Sequence, residues 1–455
     1  MMLGRLLRRG TRPGNPGAFD NAAVLELAHQ RRLNRWLFRG MCIAATGAGT
    51  VICLRDPNSV LYNVLMPLFR NYLDPEVAHK LSITALKLGI APVDYSVDPP
   101  VIQSRLKDVV FFNPIGMAAG YDKQVEVPLQ ILRMGFGFVE VGTVLPLPQE
   151  GNPKPVMFRL HDSKALINCC GFNSVGLEVA KARLKRVRKK QASDPLTKDF
   201  MIGVSVGKNR TGDILADTVN AVKGVAPYAD YIAINVSSPN TPNLRDNQKR
   251  EPLIAVISAA RSALEIVNTE IKSKGAEFNN TTKKVPLLLI KISPDVSRQE
   301  LEDIADISLT HHVDGIIATN TTITRDNVVP SDLKTAGNPK GGLSGRPLKT
   351  MSKKIVYDLY ELTEGKIPII ACGGISTAQD ALEMIEAGAS LCQIYTALVY
   401  EGPGIPSRMK NGLADLLMKK GYLNVSEAIG AEHRRRKPTP ASQTPAKTQV
   451  ESTKK

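Results

Sequence analysis

The stretch "YIAINVSSPNTPNLR", Tyr231 to Arg245, decides how the chain is read. Its first four residues are apolar with no polar alternation, the mark of a strand buried on both faces. The eleven residues that follow are crowded with Asn, Ser, Pro and Thr. Taken by themselves they are turn chemistry. Whether they also wall a site depends on how the other strands of the chain end.

They end alike. From residue 108 onward the chain falls into short β-rich runs, most of them followed by helical stretches: "VVFFNPIGMAAG", "GFVEVGTV", "FMIGVSVG", "YIAINVSS", "VPLLLIKIS", "VDGIIATNTT", "IPIIACGG" and "LCQIYTAL". Continuous apolar strands alternating with helices predict a parallel sheet covered by helices. Eight such units in about 300 residues predict a closed (β/α)8 TIM barrel rather than an open doubly wound sheet. In a barrel the carboxyl ends of the strands converge on one mouth, where active sites sit. The mouth then receives Lys123, Thr143, the 235–245 loop, Lys291, Thr319-Asn320-Thr321, Gly373-Gly374 and Tyr395-Thr396. Two lysines, many amides and hydroxyls, and no His or carboxylate cluster suit a planar anionic ligand beside a phosphorylated cofactor. The glycine-rich end of strand seven and the Tyr395-Thr396 end of strand eight offer backbone N–H groups to a phosphate. His161, His311 and His312 fall outside the strand ends, so acid–base work by histidine is not expected.

Composition narrows the class. The formal charge is +16, but the first 55 residues carry +7 and residues 430–455 carry +5, leaving +4 for everything between. The basicity belongs to the ends and is not interleaved with aromatics, which argues against a nucleic-acid surface. The six cysteines show no CxxC or Cys/His ligand spacing, so no metal site is expected.

The amino-terminal region reads as a membrane address. Residues 1–36 form a basic, transit-like segment, with four Arg and no acid in the first nineteen positions. Gly40–Leu54 carries no charge, and with Leu37 and Phe38 it predicts a single transmembrane anchor over 37–55. Arg31, Arg32, Arg35 and Arg39 precede the uncharged run Gly40–Leu54, which places the N-terminus on the matrix side and the remainder toward the intermembrane space. Residues 56–95 predict a two-helix apolar hairpin. Leu61, Leu65, Leu68 and Tyr72 share a face of the first helix, which Pro67 is expected to kink or divide. Asp74-Pro75 supplies an N-cap and an N1 proline to the second. The barrel is expected over 96–433, with 273–284 as a surface loop and 434–455 as a disordered basic tail.

Six stretches resemble one family: "NPIGMAAGYDK", "GFGFVEVGTVLPLPQEGNPKP", "NVSSPNTPNLR", "TNTTITR", "GGLSGRPL" and "AIGAEHRR". They look like the motifs of the class 2, membrane-associated dihydroorotate dehydrogenases, and the resemblance covers roughly residues 60–433. It implies oxidation of dihydroorotate to orotate in de novo pyrimidine (UMP) biosynthesis. FMN would be the cofactor and ubiquinone the electron acceptor, at the inner mitochondrial membrane. Ser238 matches the catalytic base that takes the C5 proton as hydride leaves C6 for flavin N5. Thr241 and Phe172 match residues that wall off that serine. Lys123, Asn168, Phe172, Asn235, Asn240, Asn320 and Thr321 match the orotate-binding set. Ala119, Gly120, Thr143, Asn235, Lys291, Thr319, Gly345, Gly374, Tyr395 and Thr396 match FMN contacts. His79 and Arg159 match polar residues along a quinone tunnel formed by the hairpin. The soluble class 1 relatives use a cysteine base, and the 235–245 loop has none. Four positions depart from the pattern: Ser205 stands where an Asn contacts the flavin, Tyr121 where Phe is usual, and Cys169-Cys170 where Arg and Tyr are frequent.

Overall fold

The computed structural model describes residues 47–436 and, outside that range, residues 33, 36, 37 and 41. Two compact units divide the chain after Cys53. In the first, residues 47–53 are helical. The expected anchor at 37–55 and transit-like segment at 1–36 fall largely outside the described residues, as does the tail beyond Arg436. No described helix is long and apolar enough to cross a membrane.

In the second unit eight parallel strands close into a barrel in chain order. They are β1 (Ile115–Met117), β2 (Phe138–Val144), β3 (Met201–Val206), β4 (Tyr231–Asn235), β5 (Leu287–Ile292), β6 (Gly315–Ala318), β7 (Ile369–Cys372) and β8 (Leu391–Ile394). Helices surround them, so the strands are buried on both faces and read as unbroken apolar runs. Register then fixes the mouth: Asn235 on β4 lies opposite Lys291 on β5.

The barrel is filled below and covered above. Phe138, Tyr231, Leu289, Ile317 and Ile370 pack its lower interior. Room for Tyr231 comes from Gly203, where a Cβ would sit 2.0 Å from the tyrosine ring. An antiparallel pair, Ser104–Leu106 with Val109–Phe111, forms the floor, and Phe111 meets Phe138 edge-on at 5.4 Å. The run "VVFFNPIGMAAG" is therefore two strands, with only Ile115–Met117 in the barrel. The break is built by Asn113, whose Oδ1 accepts from the Ile115 N–H (2.9 Å) while Nδ2 donates to the Gly135 carbonyl (2.9 Å). Pro114 follows it and has no N–H for a ladder. Above the mouth stands a three-stranded antiparallel sheet of Met157–Leu160, Ala165–Asn168 and Gly342–Gly345. Sequence periodicity did not reveal it.

The hairpin precedes the barrel as α1 (Leu61–Tyr72) and α2 (Pro75–Lys87). Pro67 lies inside a continuous α1 and does not divide it. Asp74 caps α2 by accepting from the Glu76 and Val77 N–H groups. No residue of α1 is buried, and α2 buries only Ile83 and Leu86. Val64, Leu68, Phe69, Tyr72, Val77 and Leu81 are exposed. Loop 273–284 is less superficial than expected. Phe278 and Asn280 are buried, and Asn280 Nδ2 donates to the carbonyls of Ala229 (2.8 Å) and Lys284 (2.7 Å).

Candidate active site

The barrel mouth opens into a cavity of about 1410 Å³, counting its open entrance. Seventeen residues singled out in the sequence line it: Ala119, Gly120, Lys123, Thr143, Asn168, Phe172, Asn235, Ser238, Asn240, Lys291, Thr319, Asn320, Thr321, Gly345, Gly374, Tyr395 and Thr396. They come from all but one of the eight strand ends and from the covering sheet. Ser238 and Lys291 thus share one chamber.

Four other candidates stand outside the lining. Ser205 is fully buried and its hydroxyl lies 3.0 Å from that of Thr143, so it steadies Thr143 from behind. Thr241 is buried in the Ser238 loop, its carbonyl accepting from the Leu244 N–H. Arg159 donates from Nη1 to the carbonyls of Arg70 (3.0 Å) and Leu73, clamping the end of α1. Its Nε is buried without a partner. His79 sits on α2 against Tyr121, with ring centroids 5.3 Å apart. Burial, with Lys123 nearby, holds His79 down to about 4, so the imidazole is neutral.

The polar wall is fixed by mutual hydrogen bonds. Asn235 Nδ2 donates to Thr143 Oγ1 (3.1 Å), and Asn235 Oδ1 accepts from Asn320 Nδ2 (3.3 Å). Asn320 Nδ2 also donates to Ser237 Oγ (2.9 Å). Asn240 Nδ2 reaches Asn168 Oδ1 (3.1 Å), while the Asn240 N–H approaches Ser238 Oγ (3.3 Å). Groups locked in this way hold their orientation without reorganising when a ligand arrives.

Two features escaped the sequence reading. Arg245 closes the opening stretch and clamps three segments: Nε donates to the Ser237 carbonyl (3.0 Å), Nη2 to the Thr321 carbonyl (2.9 Å), and Nη1 to Asp295 (2.7 Å). Its motif position was noted, but nothing local in the sequence names these partners. The second feature is a polar layer inside the barrel. Glu140 Oε2 accepts from Gln393 Nε2 (2.7 Å) and the Tyr231 hydroxyl (3.2 Å). Lys291 Nζ stands 3.6 Å from Glu140 Oε1. Burial works against the Lys291 ammonium, yet the Glu140 carboxylate outweighs it, so its pKa lies above the ordinary lysine value. The signal was present in "GFVEVG" and "LCQIY", where one polar residue interrupts an apolar strand.

The site suits a cofactor with a polar ring and a flexible tail. Oε1 of Gln393, a residue of the cavity wall, is buried with no hydrogen-bond partner, and Lys291 offers a fixed cation beside it. Gly120 has φ +97° on the cavity wall, and a Cβ there would meet nothing within 4 Å, so it would project into open space.

The family model for dihydroorotate dehydrogenase matches residues 101–417. Dihydroorotate dehydrogenase (quinone) of Rhodospirillum rubrum is 44% identical over 374 residues, covering 82% of this chain and 95% of that protein. The mitochondrial dihydroorotate dehydrogenase (quinone) of Mus musculus is 43% identical over 373 residues, covering 82% and 90%. The crystal structure of the Eimeria tenella enzyme in complex with ferulenol superposes with a TM-score of 0.77 at 44% identity. It covers 81% of this chain and 99% of that one.

Proposed function

The chain belongs to the class 2, quinone-dependent dihydroorotate dehydrogenases, and from that premise we propose how its residues divide the reaction. The flavin would be FMN, and Gly373 and Gly374 after β7, Tyr395 and Thr396 after β8, and Gly345 would hold it, with Lys291 supplying a cation near its ring. When bound, it would supply the hydride acceptor, at N5, for C6 of dihydroorotate and the means of passing the electron pair on to ubiquinone.

The chain's own groups do the rest. Ser238 Oγ takes the C5 proton while its own hydroxyl proton leaves by way of Thr241. A serine is a weak base, so its action depends on neighbours that stabilise the developing charges. Lys123 faces the substrate carboxylate, and Asn168, Asn235, Asn240, Asn320 and Thr321 pair with the ring amides. Phe172 on the wall and Thr241 behind the loop exclude bulk water from Ser238. The observation that carries this reading is that Ser238, Lys123, Lys291 and four asparagines line one chamber.

The second half of the reaction belongs to the hairpin. Its exposed apolar faces favour a bilayer surface, from which a ubiquinone ring reaches the cavity past His79 and Arg159. The name of the mouse relative places it in mitochondria. We assign this chain likewise to the mitochondrial inner membrane, with a single anchor over 37–55 and the barrel facing the intermembrane space. The product, orotate, then feeds UMP synthesis.

Anaerobic titration of the flavin-loaded protein with dihydroorotate, followed by reoxidation with a ubiquinone analogue, tests the whole scheme. Bleaching and quinone-driven recovery are expected; a flavin that dihydroorotate does not bleach refutes it. Ser238→Ala should keep its flavin and bleach about 10²- to 10⁴-fold more slowly. A near-normal bleaching rate removes Ser238 from the chemistry.

A further inference from the structure

Tyr121 stands between the hairpin and the cavity. It follows Gly120 on the loop after β1 and is 7% exposed. Its ring meets His79 of α2 edge-on (5.3 Å, 90°) and Tyr395 beyond β8 at 6.0 Å and 69°. Tyr395 lines the cavity, so Tyr121 touches both the hairpin and the chamber wall.

A phenylalanine would supply both ring contacts. The hydroxyl must therefore be explained separately, since a buried hydroxyl costs free energy unless it is paired. It is paired: Tyr121 Oη donates to Ser82 Oγ at 3.0 Å. Ser82 in turn commits its only side-chain proton to the His79 carbonyl at 2.7 Å, which makes the tyrosine the donor. The relay runs from the barrel loop through Ser82 into the backbone of α2. Arg159 ties the barrel to the end of α1, away from α2, and two further ties lie nearer solvent. Lys87 pairs with Glu126 (2.6 Å) and Lys154 with Glu76 (2.5 Å), and both lysines are well exposed.

We propose that the Tyr121–Ser82 hydroxyl pair is a positioning device for the electron acceptor. It sets the gap between α2 and the Tyr395 end of the cavity, and so decides which quinone rings fit there. This inference rests on the quinone reading above. The surroundings suit an uncharged ring: aromatic edges from Tyr121 and Tyr395, and a neutral His79. Neither hydroxyl belongs to the Ser238 wall, so the two half-reactions should separate on substitution.

Four variants of the flavin-loaded, full-length protein provide the test: Tyr121→Phe, Ser82→Ala, the double variant, and Ser82→Thr, which keeps the oxygen. Three quantities are read: KM for a short-tailed ubiquinone analogue, kcat, and the anaerobic bleaching rate with dihydroorotate. Loss of one buried hydrogen bond should raise the quinone KM about fivefold in each single variant. The double variant should be no worse than either single, because both remove the same bond. Ser82→Thr should stay near wild type, and bleaching should not change in any of them. An unchanged quinone KM in both single variants overturns the proposal. So does a double variant equal to the product of the singles, or a bleaching rate that falls by the same factor. A wild-type protein that bleaches but is never reoxidised by quinone instead defeats the acceptor reading itself.

Discussion

The barrel mouth and the helical hairpin, tied together through Tyr121 and Arg159, are built on opposite terms. At the mouth the amides are held by their neighbours: Asn235 by Thr143 and Asn320, Asn240 by Asn168, and the loop as a whole by Arg245. In the hairpin almost nothing is buried, α1 contributing no buried residue and α2 only two. The contrast teaches what the proposed division between two reactants would require. A charged, hydrogen-bonding ring needs groups fixed before it arrives. A lipid-soluble ring needs apolar surface and room to enter. On the proposed division of roles, rigidity is concentrated where charge would develop, and the looser attachment lies where the quinone would pass.

The strongest way to break that comparison is to attack the mouth at Lys291. Lys291→Ala leaves Glu140 as an uncompensated buried carboxylate, and losing one partner of such a pair costs about 3–5 kcal/mol. The variant should melt well below wild type and purify with little flavin. Adding Glu140→Leu should recover much of the melting temperature but none of the flavin. If the single variant instead melts like wild type, the polar layer is not what holds the mouth together.

A smaller effect is expected at Arg245. Arg245→Ala removes charged hydrogen bonds to the Ser237 and Thr321 carbonyls, each worth about 1.5–3 kcal/mol. Bleaching by dihydroorotate should slow about 10- to 100-fold, orotate should bind more weakly, and reoxidation by quinone should be unaffected. Equal slowing of both steps means that the mouth and the hairpin are one mechanical unit.

How much of this was legible in the sequence follows from the same physics. The eight strands were legible because helices cover both barrel faces and leave unbroken apolar runs such as "PLLLIKI". The hairpin was legible because Asp74-Pro75 carries its own capping chemistry. The covering sheet was not, since Met157–Leu160 and Ala165–Asn168 are four-residue strands joined through His161-Asp162, too short for a period. Arg245 was visible as a residue but not as a clamp, because Asp295 and Thr321 are 50 and 76 positions away. Ser205 was expected to bear on the flavin. The structure sets it one layer back, behind Thr143, a distinction that only packing can make.

The hairpin half of the comparison is sharpened by charge. Leu68→Glu with Leu81→Glu places carboxylates on exposed apolar positions, so folding should be little changed. Each replaced leucine forfeits about 1.5 kcal/mol or more of burial in a bilayer surface. Turnover with vesicle-borne quinone should fall about tenfold, while turnover with a water-soluble analogue should hold. Equal losses with both acceptors would detach the apolar face from the membrane.

The smallest effect is electrostatic and appears only in acid. His79 titrates near 6.5 in the unfolded chain but is held down to about 4 in the fold by burial, with Lys123 adding to it. Below 6.5 the unfolded chain takes up a proton that the folded protein refuses, so stability is full above 6.5 and declines as pH falls toward 4. One unit below 6.5 the loss is about 1 kcal/mol. In His79→Gln that share of the slope should vanish, while at neutral pH the variant should differ only by its lost ring contact with Tyr121. Denaturant midpoints measured across this interval decide the matter. Parallel slopes in the two proteins would mean that His79 reaches water, and that the gap beside Tyr121 is wetter than its aromatic edges imply.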